Sequence, residues 1–369
     1  SEAELAKPNT LLRENHPPVA PGEKVTEKWS FRRSNYFEFV GNECRHVHEK
    51  VGILDMSAFS KFMVEGYDSA SWLDSLLANR IPRKIGRIGL CHLLTSLGGV
   101  RSEFTVYRLA EDRFYLVSAG MLERHDWDYL TKALPVDGRV QLRKVTSQYG
   151  VLVVAGPNSR SLLQKLTDRD LSNEAFPWLS GQPVNIGAAD AHAIRVNFVG
   201  ELGWELHHPI ETQNYIFDRL FEAGQEFDLK PFGIRAMDSL RLEKSYRLIP
   251  RELSVEYAAL ESGLERFVSW DKDDFVGKAG LDAWRNRGFQ WHFVTLEISG
   301  INDVDARGSE PIYDGAELIG RCTSGGYGWR VGKSLALGMV HPDRTGVGSQ
   351  WEVEILGERF SATVIPESP

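Results

Sequence analysis

Cysteine is scarce: Cys44, Cys91 and Cys322 are the whole complement of a 369-residue chain, widely spaced and odd in number. No Cys-x-x-Cys pair occurs, so neither a zinc knuckle nor a disulfide framework is encoded, and a reducing, cytoplasmic location is expected. No run of 18 apolar residues exists, which excludes a membrane-crossing helix. The first residues, Ser1 to Asn9, are polar and lack the hydrophobic region of an export signal. Arg32-Arg33 leads into Ser-Asn-Tyr-Phe-Glu-Phe, not into an apolar run. Dense Lys/Arg blocks are missing too. A net charge of −8 gives a nucleic-acid backbone nothing broad to bind.

Several motifs are absent or incomplete. There is no Gly-x-Ser-x-Gly elbow. His46 and His48 lie two apart on a helical stretch and diverge, and His207-His208 end a strand with no partner cluster, so no metal site is expected. Gly332-Lys333-Ser334 imitates the end of a phosphate loop, but Tyr327 stands where its first glycine belongs, and a strand-like segment follows. Gly326-Tyr327-Gly328 meets Val331 instead of a third glycine, which excludes a dinucleotide fingerprint. No sequence repeat of fixed period is visible.

What is present is a globular composition, 42% hydrophobic and 25% charged, long enough for two or three domains. Residues 1–28 carry Pro8, Pro17, Pro18 and Pro21 and read as an extended arm. Helical spacing is expected at 39–50, 68–79, 121–133, 158–166, 211–225 and 234–246. Strands are expected at 53–57, 61–66, 91–95, 104–109, 113–117, 150–155, 182–198 and 203–207. That mixture is α+β with antiparallel sheets over a body of residues 29–283. From 290 to 369 short strands separated by Gly and Asp turns predict a small antiparallel barrel.

Four segments could carry chemistry. After the Gly98-Gly99 turn, an extended chain puts Glu103, Thr105 and Tyr107 on one face and Phe104 and Val106 on the other. That face is either a solvated surface or an acid, a hydroxyl and a phenol lining a site. In Arg195–Leu206, two acids and two aromatics flank two glycines. A buried carboxylate there suits two N–H donors of a flat cyclic amidine, and a hairpin with an aromatic plug fits equally. Gly233–Tyr246 holds Arg235, Arg241 and Lys244 at helical spacing, which structural ion pairs also explain. The fourth is the Thr323–Ser334 glycine-rich stretch treated above.

Taken in order, five motifs resemble the glycine-cleavage T-protein (aminomethyltransferase) superfamily. They are Gly-Gly-Val-x-Ser-Glu-Phe-Thr-Val-Tyr, Phe-Val-Gly-Glu-Leu-Gly-Trp-Glu, Asp-Ser-Leu-Arg-Leu-Glu-Lys, Gly-Leu-Glu-Arg-Phe-Val and Thr-Ser-Gly-Gly-Tyr-Gly. The likeness covers roughly residues 30–365 and is stronger to the folate-binding C-terminal region of dimethylglycine and sarcosine dehydrogenases. It implies a three-domain cloverleaf around a central folate channel, with two intertwined subdomains in the body. It implies tetrahydrofolate as the one-carbon acceptor and Glu103 in the place of the family's catalytic acid, where Asp is usual. Thr105 and Tyr107 match ligand-facing positions, and Glu205 matches the acid on the pterin edge. Phe198 replaces a common Tyr and keeps a stacking face. Met237 stands where Arg is common, so Arg235 or Arg241 is the expected anchor of the folate tail. The usual Pro is missing from Ala258-Ala259-Leu260-Glu261.

The resemblance also sets expectations about partners. The dehydrogenases carry a flavin domain whose fingerprint is not found here, so an oxidoreductase partner is expected to supply the one-carbon unit from a small N-methyl metabolite, giving 5,10-methylene-tetrahydrofolate. Direct transfer from an S- or O-methyl donor, giving 5-methyl-tetrahydrofolate, is the alternative. A non-catalytic folate-binding protein is the rival from another class.

Overall fold

The computed structural model describes residues 30–368. The arm expected at 1–28 lies outside the described residues. Helix α1 (Phe37–Glu49) opens the described chain and buries Cys44 and Val47. Strand β1 (Gly52–Asp55) follows.

The next 180 or so residues run through one pattern twice. The first pass is β2 (Ser60–Glu65), α2 (Ser69–Leu76), β3 (Ile88–Leu94), β4 (Val100–Ala110), β5 (Arg113–Ser118), α3 (Glu123–Lys132) and β6 (Gln141–Lys144). The second is β7 (Tyr149–Ala155), α4 (Ser159–Gln164), β8 (Gly181–Ile186), β9 (Ala189–Ile194), β10 (Gly203–Pro209), α5 (Gln213–Gly224) and β11 (Lys230–Pro231). Their sheets have matching order. One is β3-β4-β5-β2-β6; the other is β8-β9-β10-β7-β1-β11, with β1 inserted. All pairs are antiparallel except β1 with β11.

Details repeat as well. The strand-to-helix turn uses Gly66 at φ 124° and Gly156 at φ 129°, a backbone region that side chains rarely enter. Gly66 donates to the Asp112 carbonyl, and Gly156 to that of Leu202. The Oγ atoms of Ser69 and Ser159 donate to those same carbonyls, at 3.0 and 3.1 Å. Each pair of equivalent residues, 66 with 156, 69 with 159 and 112 with 202, lies ninety positions apart. So a repeat is built into the backbone although it is not visible as a sequence period.

Each sheet covers its helices with one face. Phe62, Val64, Phe104, Val106, Phe114 and Leu116 pack on Trp72, Leu73 and Leu130. Leu152, Val154, Trp204 and Leu206 pack on Leu162, Ile216 and Leu220. The other faces meet through Met63, Ile88, Tyr107, Tyr115, Val117 and Ile194. Alternation with period two separates the two sets.

After α6 (Ile234–Leu242) and α7 (Lys278–Arg287), six strands close into a barrel. They are β12 (His292–Ile298), β13 (Pro311–Asp314), β14 (Glu317–Gly328), β15 (Lys333–Val340), β16 (Gln350–Ile355) and β17 (Glu358–Ile365), in spatial order β12-β15-β14-β13-β16-β17. Leu296, Ile312, Ile319, Ala336, Val353 and Ala362 fill it. The α+β class, the antiparallel sheets and the terminal barrel are as expected.

Several local features differ from expectation, among them the helix Lys278–Arg287 and the strand Gln141–Lys144, which were not expected. The strand expected at 182–198 is a hairpin turning at Gly187-Ala188. The helix expected at 234–246 ends at Leu242. Pro311–Asp314 is a strand that no sequence signal marked. Gly332-Lys333-Ser334 lies at the β14–β15 hairpin, with Lys333 opposite Gly328. Among the described residues no helix is long and apolar enough to cross a membrane.

Candidate functional site

Strand β4 alternates as its sequence predicts: Phe104 and Val106 are fully buried on the helix side. Glu103 and Thr105 are partly exposed on the opposite face, and Tyr107 is buried there against the second sheet. Cross-strand pairing sets His92 of β3 directly beside Glu103. The imidazole Nε2 lies 2.9 Å from Glu103 Oε2. His92 is 1% exposed and the Glu103 side chain 26%. Phe267 abuts the His92 ring edge-on at 5.2 Å.

Across the sheet interface stands the second acid. Glu205 Oε2 lies 3.1 Å from Nε2 of His207, two residues along β10 and therefore on the same face. The Tyr115 hydroxyl reaches His207 Nδ1 at 3.2 Å. Burial raises the Tyr115 phenol well above its ordinary value, with Tyr149 and Glu205 adding to it, so the hydroxyl stays a donor. It donates to Nδ1, which leaves Nε2–H to donate to the Glu205 carboxylate. One oxygen of Glu205 is thereby held. The side chain is 12% exposed, and among the described residues no Lys or Arg pairs with it.

Tyr107 joins this cluster. It pairs across strands with Tyr115, and its hydroxyl lies 3.4 Å from Nδ1 of His192. His192 is in turn the cross-strand neighbour of His207. Burial pushes the Tyr107 phenol up to about 12 and holds His192 below its ordinary value, with His207 and Arg113 lowering it further. Tyr107 packs against the bare backbone of Gly181, where a Cβ would come within 2.8 Å of its ring. At about 3.3 Å per residue, Glu103 sits roughly 13 Å along β4 from Tyr107.

The remaining predicted residues gather around Tyr246. Phe198 lies 5.7 Å from its ring. Arg241 is 1% exposed. Its Nε and Nη2 reach Asp238 Oδ1 at 2.7 Å, Nη1 reaches the Tyr246 carbonyl and Glu252, and Nη2 reaches Ser324 Oγ. Four hydrogen bonds and an ion pair hold the guanidinium to protein acceptors, so the head is an internal tie. Arg235 stacks at 3.9 Å on Tyr36. The turn Glu265–Phe267 links the groups: Phe267 touches His92, and Arg266 bears electrostatically on Tyr246.

The geometry thus brings Tyr107 and Glu205 into one polar cluster, with Glu103 farther along the same strand face as Tyr107. Phe198 and Arg241 form a separate group. Sequence reasoning missed His92, His192, His207 and Tyr115. His207 carried a readable signal, its i,i+2 spacing from Glu205; the other three depend on pairings between distant segments. Among the described residues no cluster of His, Cys, Asp or Glu could hold a metal. A cleft of about 430 Å³ lined by Ser147, Gln148, Tyr149, Pro209, Ile210 and Glu211 includes none of the predicted site residues. It touches the cluster only through Tyr149, edge-on to Tyr115.

Comparison with known proteins gives consistent results. A family model described as the GCVT N-terminal domain matches residues 18–272, and one described as the glycine cleavage T-protein C-terminal barrel domain matches residues 292–369. Mitochondrial dimethylglycine dehydrogenase of Mus musculus is 40% identical over 349 residues, 94% of this chain and 40% of that protein. The chain therefore spans about 40% of the length of that relative. Aminomethyltransferase of Desulfitobacterium hafniense (strain DSM 10664 / DCB-2) is 30% identical over 359 residues, 97% of this chain and 96% of that protein. The crystal structure of glycine cleavage system aminomethyltransferase T from Bartonella henselae has the same fold, with a TM-score of 0.80 at 22% identity and 93% of each chain covered.

Proposed function

The chain belongs to the glycine cleavage T-protein family, and from that membership we propose that it is a tetrahydrofolate-dependent one-carbon transferase. The observation that carries the reading is Glu205: a carboxylate buried between two sheets, held through one oxygen and, among the described residues, paired with no Lys or Arg. Such a group is stabilised by N–H donors from a flat heterocycle, and a pterin edge offers two side by side. The hydroxyls of Tyr107 and Thr105 supply polar contacts, and the Phe198 ring, in the separate group beside Tyr246, offers a stacking face to another part of the ligand. Arg241 then acts as a positioning residue and does not anchor the folate tail.

Bound tetrahydrofolate supplies the amine nitrogens that accept the one-carbon unit. Glu103 stands on the partly exposed face of β4, and among the described residues one of its carboxylate oxygens has no hydrogen-bond partner. In this reading the folate amine's lone pair adds to the carbon of an iminium donor, whose C=N π pair moves to the donor nitrogen, and Glu103 takes the proton from the folate nitrogen that has gained the carbon. Identity to dimethylglycine dehydrogenase favours a unit derived from an oxidised N-methyl amine, and 5,10-methylene-tetrahydrofolate as product. An oxidoreductase is the partner this donor requires.

The test is calorimetric titration with tetrahydrofolate, then addition of formaldehyde or an oxidised amine, with folate products read by mass. Binding and 5,10-methylene-tetrahydrofolate above the uncatalysed background are expected. 5-Methyl-tetrahydrofolate from an intact methylated donor would redirect the reading to direct methyl transfer. Binding without turnover would make the chain a folate sensor, and no binding would remove the proposal. Glu103→Gln should keep tetrahydrofolate binding and lose turnover by about 10²-fold or more.

A further inference from the structure

The histidine beside Glu103 has two unlike nitrogens. Nε2 meets Glu103 Oε2 at 2.9 Å. Nδ1 is buried and has no hydrogen-bond partner among the described residues. A proton on Nδ1 would be a buried donor with nothing to accept it, a state that folded proteins seldom tolerate. A bare lone pair there is the lesser loss. The ring therefore carries its proton on Nε2 and donates it to the carboxylate.

We infer that His92 is the positioning residue of Glu103: its Nε2–H grips Oε2 and leaves Oε1 to take the proton during transfer. The inference rests on the transferase reading for its chemistry and on this hydrogen bond for its geometry. Three features fix the imidazole in place. The backbone N–H of His92 donates to Asn79 Oδ1 at 3.0 Å, Phe267 packs on the ring, and the strand pairing sets the two residues opposite each other. The charged groups on neighbouring elements are Glu265 and Arg266 of the Phe267 turn, and Lys272 with Asp74 behind β3. None of them hydrogen-bonds to His92 or Glu103. During transfer the N–H bond breaks and an O–H bond forms at Oε1, while the Nε2–H···Oε2 contact persists. His92 gains and loses no proton.

Two measurements test this. The first compares kcat/KM for 5,10-methylene-tetrahydrofolate formation among variants of the full chain. His92→Leu should lower kcat/KM roughly tenfold, because the carboxylate loses the donor that orients it. Tetrahydrofolate Kd should stay within about twofold, because no binding group is lost. His92→Gln, which keeps an N–H donor, should recover most of that loss. An unchanged kcat/KM in the Leu variant, or equal losses in Leu and Gln, would overturn the inference. The second measurement needs no turnover: ¹⁵N NMR of histidine-labelled protein, with the His92 signals assigned as those missing from His92→Gln. A protonated Nε2 and a bare Nδ1 are expected. A proton on Nδ1 would sink the idea. Should the wild-type chain fail to bind tetrahydrofolate, the transferase reading falls, and the tautomer still decides the role of His92.

Discussion

Glu205 and its neighbours show how far one residue depends on the next. The Tyr115 hydroxyl sets the tautomer of His207, and His207 holds one oxygen of Glu205. Tyr115→Phe removes the donor and leaves Nδ1 buried without a partner. It should destabilise the protein by about 1–3 kcal/mol and weaken tetrahydrofolate binding as the imidazole loses its fixed tautomer. Chemical denaturation and calorimetric titration read the two effects. Glu205→Ala should weaken tetrahydrofolate binding by about 1–3 kcal/mol, because two N–H donors of the ligand lose their acceptor. Unchanged affinity would return Glu205 to a structural role. At this scale the acids were legible, since composition around Gly200 and Gly203 marks Glu205, and alternation along β4 marks Glu103. Their histidine partners were less so. His92 is eleven positions from Glu103, and only the strand register brings the two together.

Elements place these groups, and small residues set the placement. Gly181 opens β8 and lets the Tyr107 ring lie against its backbone. Gly181→Ala would drive a methyl into that ring. It should cost about 1–3 kcal/mol and rotate Tyr107 away from His192, read as a loss of melting temperature with weaker tetrahydrofolate binding. A second element-level test concerns Glu243, just after α6. Its Oε1 accepts the backbone N–H groups of Arg330 and Val331 at 2.7 and 3.2 Å, capping the barrel's β14–β15 turn. Burial raises this carboxyl above the usual range, more than the two N–H groups lower it. The folded state therefore holds the proton to higher pH than the unfolded chain does. Stability is lost as pH rises from the ordinary carboxylate value through the folded one. Glu243→Gln keeps the acceptor and avoids the charge. It should match wild type in acid and exceed it at neutral pH, in melts run across that window. Most long helices and most barrel strands were readable from period and turn residues, though the helix Lys278–Arg287 was not. The β8–β9 hairpin was not, because Gly187-Ala188 is a weaker turn signal than paired glycines or Asn-Gly. Pro311–Asp314 was hidden by its length and its leading proline.

The whole molecule is tied through its buried charges. Arg241 of the body reaches Ser324 of β14, and Glu252, fully buried, accepts from Thr323 Oγ1 of the same strand while pairing with Arg241. Arg241→Met strands Glu252 without its cation and should cost about 3–5 kcal/mol. Calorimetry of the wild-type chain should show one transition for body and barrel together. Separate transitions would mean that the tie carries little. The doubled body was the least legible feature of all. Gly66 and Gly156, and Ser69 and Ser159, keep the same residue at equivalent places, whereas the core needs only apolar character, so the ninety-residue offset leaves almost no trace in the letters.

That offset has a consequence for Tyr115 and Glu205, themselves ninety positions apart. They are equivalent places in the two halves, and His207 stands between them. In an isologous dimer of identical subunits, a residue near the two-fold axis faces its own copy. Two tyrosines would leave no acid there, and two glutamates would repel. In one continuous chain the two equivalent places are free to differ: Tyr115 and Glu205 take opposite nitrogens of the same imidazole, an asymmetry that identical halves could not encode.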